Sequence, residues 1–337
     1  AKVCRTALEQ LGSRKGAVTV YNYKTGEVLC MVSTPTFDPE NKPDVDLNED
    51  KYDGIYVNRV LRGQYAPGST FKLVVAAAAL ENIDDIQSRE FTCDGKYVTT
   101  DGEIICNGTH GTLTFGEALA ESCNTVFSQI AIELGPEILT AQAEKMGFNQ
   151  NFKADGFSYS GGQFHVENAS QSELGWAGIG QYNDMASPFN MMMIAGGIAD
   201  GGNAVVPRII QTSNSPIGLP TTVRLWTNTR SMMGADTASV LSDMMRDAAV
   251  HSFGSSFMSE YGLCCKTGTA EATSSQVNST FVGFAPYDNP EIAVCTVVEK
   301  SPSQGASTAA ITAAIMEYYF SEDAVQERVA AENKLVS

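Results

Sequence analysis

The sequence predicts an α+β fold, with one antiparallel sheet built from both chain ends and packed between helices. Three observations carry this. Strand-patterned runs lie near the start, over about residues 16–33, and near the end, over about 261–300. Between them, about residues 70–250 are dominated by helical patterns. Strands at both ends can share a sheet only by pairing with each other, which leaves the helices to cover its faces. At 337 residues the chain is read as one domain, 1–337.

Residues 1–12 read as the end of a helix already under way, and the chain opens at Ala1 without an initiator Met. An anchor upstream is expected. Residues 17–21 and 27–32 form a hairpin around the turn Lys24-Thr25-Gly26. Residues 34–53 are polar, hold Pro35, Pro39 and Pro43, and run over the surface. In residues 65–81, YAPGSTFKLVVAAAALE, Pro67 and Gly68 stop what precedes them. The Ala-rich run after them makes a helix that is apolar all round, hence buried, and too short to cross a bilayer.

Thr114 and Glu117 form a capping box that opens a short helix ending near Glu121. After Ser122-Cys123-Asn124 a second helix, 125–134, stops at Gly135-Pro136, and a third runs over 139–146. Residues 150–185 are loop-rich. Ser187 and Pro188 supply an N-cap and first turn for a core helix whose Met191-Met192-Met193 run is packing. Residues 237–250 are amphipathic; 262–270, 280–285 and 291–298 are strands, and 307–320 is a last helix.

Composition excludes several functions. A net charge of −17 with no Lys/Arg cluster excludes nucleic-acid binding. No apolar run reaches the roughly 18 residues of a membrane span, and no signal peptide is present. The eight cysteines show no zinc spacing. Cys30, Cys264, Cys265 and Cys295 lie in apolar strand-like runs as buried thiols, and Cys123 is a small buried residue. Cys93 and Cys106 bracket a hairpin, bridged or free according to the compartment. His110, His165 and His251 stand in no paired-ligand spacing, so no metal and no cofactor is expected.

Polar groups interrupt the apolar pattern in a few places. Ser69 and Lys72, at spacing i, i+3, share one helix face. A lysine on a buried helix is costly unless it has a task. Burial lowers its pKa, which suits it to take the serine's proton. The helix N-terminus beside Ser69 favours a developing anion. Taken alone, the pair also reads as an N-cap serine and a lysine reaching to solvent. Ser122 and Asn124 alone read as caps, and Lys266-Thr267-Gly268 alone as a turn, like Lys24-Thr25-Gly26.

Together, Ser69-Thr70-Phe71-Lys72, Ser122-Cys123-Asn124 and Lys266-Thr267-Gly268-Thr269 resemble the S-x-x-K, S-x-N and K-T-G set of penicillin-binding proteins and serine β-lactamases. The runs GAVTVYNYKTGEVLCMVSTPTFDP, YAPGSTFK, HGTLTFGEALAESCN, GIGQYNDMASP and KTGTAE resemble class B penicillin-binding proteins in particular, from about residue 4 to 320.

The resemblance implies a β-lactamase/transpeptidase-like fold and a peptidoglycan D,D-transpeptidase blocked covalently by β-lactams. It implies Ser69 as nucleophile, Lys72 as base, Ser122 as proton relay and Lys266 as a nearby positive charge. Asn124, Thr267, Gly268 and Thr269 would bind substrate, and the backbone N–H groups of Ser69 and Thr269 would form the oxyanion hole. The partners implied are peptidoglycan stem peptides, β-lactams and a membrane glycan polymerase reached through an anchor and pedestal outside this chain. The implied location is the outer face of the bacterial cell membrane. A serine β-lactamase and a non-catalytic β-lactam sensor or division scaffold are the alternatives. Asn124 and the KTGTAE run weigh against the first; Ser69 and Lys72 weigh against the second.

Overall fold

Five strands form the central sheet: β1 (Gly16–Asn22), β2 (Val28–Thr34), β3 (Cys264–Thr273), β4 (Gln276–Ala285) and β5 (Ile292–Ser301). The computed structural model describes residues 15–44, 54–211, 213–217, 227–273, 276–301 and 306–321. The order is β3-β4-β5-β1-β2 with antiparallel neighbours throughout. The two chain ends meet where β1 pairs with β5, Val18 opposite Thr296 and Val20 opposite Val294. Side chains alternate across a strand. Ala17 and Tyr21 therefore enter the large core on one face, and Val18 and Val20 enter a smaller core on the other.

Eight helices complete the described fold: α1 (Arg59–Arg62), α2 (Lys72–Asn82), α3 (Phe115–Ala120), α4 (Asn124–Lys145), α5 (Gln171–Ala177), α6 (Pro188–Ala199), α7 (Ala235–Tyr261) and α8 (Ala306–Phe320). α6 packs against β1, β4 and β5; α8 packs against β4 and β5, where Ile311, Ile315 and Met316 join the smaller core. α7 lies along β3. α2 is the buried axis, with Leu73 through Ala79 fully enclosed. Its small alanines let α4 and α7 approach closely, and each fully buried Leu or Val contributes roughly 1.5–3 kcal/mol relative to exposure.

Several expectations shift at their edges. The expected helix over residues 1–12 lies outside the described residues, as does part of the polar excursion. The α-helix begins at Lys72, and Ser69 sits in a preceding 3-10 turn, Gly68–Phe71. Gly135-Pro136 kinks α4 rather than separating two helices by a loop: Gly135 has φ +77° and helix resumes at once. Proline is tolerated there because the N–H it lacks has no partner at a helix start. The loop-rich stretch 150–185 contains α5, opened by a capping box of Ser170 and Glu173, and a ribbon of Asn151–Ala154 with Phe157–Ser160. The capping box at Thr114 and Glu117 and the Ser187 N-cap are present as expected.

Candidate active site

The 3-10 turn that carries Ser69 lies against β3, and glycines make that contact possible. Gly68 has φ +53°, and a Cβ built there would stand 2.6 Å from the Thr269 carbonyl oxygen. Across the crossing, a Cβ on Gly268 would stand 2.6 Å from the Pro67 carbonyl oxygen. The two backbones can meet only without side chains at these positions. Gly68 N–H also donates to the Gly180 carbonyl at 3.0 Å, and Gln181 Nε2 donates to the Thr269 carbonyl at 2.9 Å. In the sequence Gln181 is only one residue of the GIGQYNDMASP run; its function as a strut for β3 is visible only in three dimensions.

Lys72 is fully buried and reaches oxygens of three site residues. Its Nζ lies 3.0 Å from Ser69 Oγ, 2.8 Å from Asn124 Oδ1, 2.5 Å from the Ser122 carbonyl and 3.2 Å from Ser122 Oγ. Burial, and then the charge of Lys266, holds its ammonium well below the ordinary lysine range. A neutral amine has two N–H groups, which suit the two shortest contacts, to Ser122 O and Asn124 Oδ1. Its lone pair is then free to face the Ser69 hydroxyl.

Ser122 and Asn124 flank the start of α4. Neither caps it: Cys123 holds the N-cap position and makes no side-chain cap bond. Ser122 takes the left-handed conformation, φ +56°, which is uncommon for a non-glycine residue. This turn aims both its carbonyl and its hydroxyl at Lys72. From β3, Lys266 Nζ donates to Ser122 Oγ at 2.9 Å and to the Thr267 carbonyl at 3.0 Å. Burial lowers Lys266 to about 8, against an opposing pull from Cys265. Thr267 and Thr269, two apart on β3, share a half-buried face, and the open space beside Ser122, Lys266 and Thr267 measures about 380 Å³. Ser69 itself is half-buried, within reach of a substrate.

The structure thus brings Ser69, Lys72, Ser122, Asn124 and Lys266 into one hydrogen-bonded group, with Thr267, Gly268 and Thr269 on the strand beside it. Chemically this is a serine beside a neutralisable amine, with a second hydroxyl shared between two lysines. No ligand spacing in the sequence points to a metal, yet Cys93, Cys106, His110 and Cys123 lie together, their donor atoms all within 4.8 Å of one another. Cys93 and Cys106 are free thiols, not a bridge. The spacing hid the group, because its members come from two ribbons and a helix start. Of the other histidines, His165 Nδ1 stands 3.7 Å from exposed Glu167 and His251 Nε2 stands 3.5 Å from Glu121 at the pocket wall.

A Ser-x-x-Lys pair at the entry to a buried helix, facing a K-T-G strand edge in an α+β fold, is the arrangement of the active-site serine acyltransferases. Within it, the chain belongs to the penicillin binding protein transpeptidase domain family, whose sequence profile matches residues 16–317. It is 26% identical over 322 residues to peptidoglycan D,D-transpeptidase PbpA of Mycolicibacterium smegmatis, covering 90% of this chain and 65% of that protein. It is 27% identical over 333 residues to PbpA of Mycobacterium tuberculosis, covering 91% and 67%. The D,D-transpeptidase domain of a peptidoglycan glycosyltransferase from Eggerthella lenta has the same fold, with 26% identity, a TM-score of 0.82 and coverage of 94% of this chain and 80% of that one. The chain thus spans about two thirds of the length of these curated relatives.

Proposed function

We propose that this chain is the catalytic domain of a peptidoglycan D,D-transpeptidase, which β-lactams acylate at Ser69. The observation that carries the reading is the 3.0 Å contact between Lys72 Nζ and Ser69 Oγ, made by a lysine whose charge burial disfavours. The names of both mycobacterial relatives support it.

In acylation, Ser69 Oγ attacks the carbonyl between the two terminal D-alanines of a stem peptide, and its proton passes to Lys72. The carbonyl oxygen becomes anionic against the backbone N–H groups of Ser69 and Thr269. When the C–N bond breaks, the departing D-alanine amine takes a proton through Ser122 Oγ, which stands 3.2 Å from Lys72 Nζ. Lys266, with Thr267 and Thr269, holds the terminal carboxylate of the substrate. Asn124 binds the amide side of the acyl group, and Gly268 keeps the strand edge open. The amine of a second stem peptide then attacks the ester, forms the cross-link and releases Ser69. The unit is one transpeptidase domain. It acts at the outer face of the membrane, with a glycan polymerase engaged through parts of the protein outside this chain.

The test is intact mass after mixing with penicillin, with Ser69→Ala alongside. A lasting one-drug adduct on the parent alone is expected. An adduct that forms and vanishes while drug is consumed points instead to a β-lactamase. An adduct that persists on Ser69→Ala removes Ser69 as the nucleophile.

A further inference from the structure

Beside the active site, Cys93, Cys106, His110 and Cys123 converge from separate elements. Cys93 ends the strand Glu90–Cys93, which pairs with Gly111–Thr114 and sets Cys93 opposite Gly111. Cys106 follows the strand Glu103–Ile105 and is fixed by its N–H to the Gly95 carbonyl at 2.9 Å. His110 stands in the turn just before Gly111, its N–H bonded to the Cys93 carbonyl at 3.2 Å. Cys123 lies between Ser122 and Asn124. The three cysteines are buried and the imidazole is partly so.

Three of the distances between donor atoms match a tetrahedral shell, and all four donors lie within 4.8 Å of one another. Zn–S bonds of about 2.3 Å and Zn–N bonds of about 2.0–2.1 Å, at tetrahedral angles, require S···S near 3.8 Å and S···N near 3.6 Å. Cys106 Sγ stands 3.8 Å from Cys123 Sγ and 3.6 Å from His110 Nδ1, and Cys93 Sγ stands 3.4 Å from His110 Nδ1. The surroundings match as well. The Asn124 backbone N–H donates to Cys106 Sγ at 3.2 Å, and Thr125 Oγ1 lies 3.2 Å from Cys123 Sγ. On the far side of the imidazole, His110 Nε2 is 3.9 Å from Glu121 Oε2, a carboxylate placed to favour the tautomer that presents Nδ1 to a metal.

We propose that Cys93, Cys106, His110 and Cys123 hold one zinc ion in a closed four-ligand site, and that this ion positions Ser122 and Asn124. Three thiolates and an imidazole are a soft donor set that selects zinc over magnesium or calcium. Four protein ligands leave no open position, so the ion serves structure rather than chemistry. Because Cys123 is one of the four, the ion fastens the left-handed turn at Ser122 to the ribbons over residues 90–114. The positioning role rests on the transpeptidase reading; the metal site does not.

Two measurements on the parent domain, purified under reducing conditions, test the site. Zinc content is expected at one ion per chain. After chelation, cobalt(II) is expected to give thiolate charge-transfer absorption and the visible bands of a tetrahedral site. Cys106→Ser is expected to weaken that charge-transfer band, and Glu121→Gln to lower cobalt affinity about tenfold while leaving the band in place. A folded parent with no zinc and no cobalt charge-transfer band overturns the site, as does a Cys106–Cys123 disulfide in the fresh protein. These readouts on the parent decide the matter even if Cys106→Ser fails to fold.

The positioning role is read from the rate of penicillin acylation in the stripped protein. At least a tenfold fall, restored by added zinc, is expected; an unchanged rate overturns that role and leaves the metal site standing.

Discussion

The Lys266 ammonium donates to Ser122 Oγ at 2.9 Å, joining residues 144 positions apart in sequence. Lys72 reaches the same oxygen at 3.2 Å. One hydroxyl is thus shared by the lysine proposed to accept a proton and the lysine proposed to keep its own. Replacing Ser122 by Ala removes this bridge without disturbing the backbone contact to Lys72. Acylation by penicillin is expected to slow by about 10²–10⁴, the range of a lost proton-transfer group, with the melting temperature little changed. Stopped-flow rates equal to the parent's would eliminate the relay.

In the proposed acylation the two lysines set opposite requirements on pH. Lys72 must be neutral to accept the Ser69 proton, and burial together with Lys266 lowers its pKa. Activity therefore rises with pH through that depressed value. Lys266 must be charged, and it loses its proton near pH 8. Activity accordingly falls as pH rises through about 8. A bell-shaped acylation profile is expected, with an alkaline limb that disappears in Lys266→Gln. An alkaline limb that survives in that variant would assign it to another group.

Much of this was legible in the sequence, for definite reasons. The central strands are covered on both faces, so β1, β4 and β5 read as apolar runs, and Pro/Gly punctuation marked the helix ends. Ser69, Lys72, Ser122, Asn124 and Lys266 stood out because polar groups in apolar surroundings need a partner, and they proved to be each other's. The hairpin bracketed by Cys93 and Cys106 was legible and is the ribbon of Lys96–Val98 with Glu103–Ile105; the ribbons of Glu90–Cys93 with Gly111–Thr114 and of Asn151–Ala154 with Phe157–Ser160, and α5, were not, because such short segments carry too little periodicity to read. The Cys93, Cys106, His110 and Cys123 group stayed hidden because it is assembled by strand pairing, with twelve residues separating Cys93 from Cys106 and twelve more separating His110 from Cys123. Gln181 stayed hidden because its partner is a backbone carbonyl on a distant strand.

Lys72→Ala removes the amine that three site residues share. Acylation is expected to slow by at least about a hundredfold. The loss should exceed that of a simple packing defect, because Asn124 Oδ1 and the Ser122 carbonyl lose their donor together. Lys72→Met keeps the apolar stem and separates the two effects. It should restore much of the melting temperature and none of the acylation rate. Recovery of acylation in Lys72→Met would show that the stem, not the amine, is what the site needs.

Gly68 tests whether the site depends on the crossing of two backbones. At φ +53° an added Cβ meets the left-handed penalty, about 1–2 kcal/mol for an L-residue. It also meets the Thr269 carbonyl oxygen at 2.6 Å, a backbone atom that cannot swing aside as a side chain would. Relief requires the Ser69 turn to part from β3. That movement separates the Ser69 N–H from the Thr269 N–H, the two donors of the proposed oxyanion hole. Gly68→Ala is therefore expected to lower stability by about 1–3 kcal/mol and acylation by at least about tenfold, the step for each 1.4 kcal/mol of lost transition-state binding. Gly180→Ala provides the control. Its Cβ would strike the Gly68 carbonyl oxygen, so it crowds the same turn from Gly180 rather than from Gly68 itself. If thermal melts and acylation rates of Gly68→Ala match the parent, the turn has slack, and the oxyanion site does not depend on the close approach of Gly68 to Thr269.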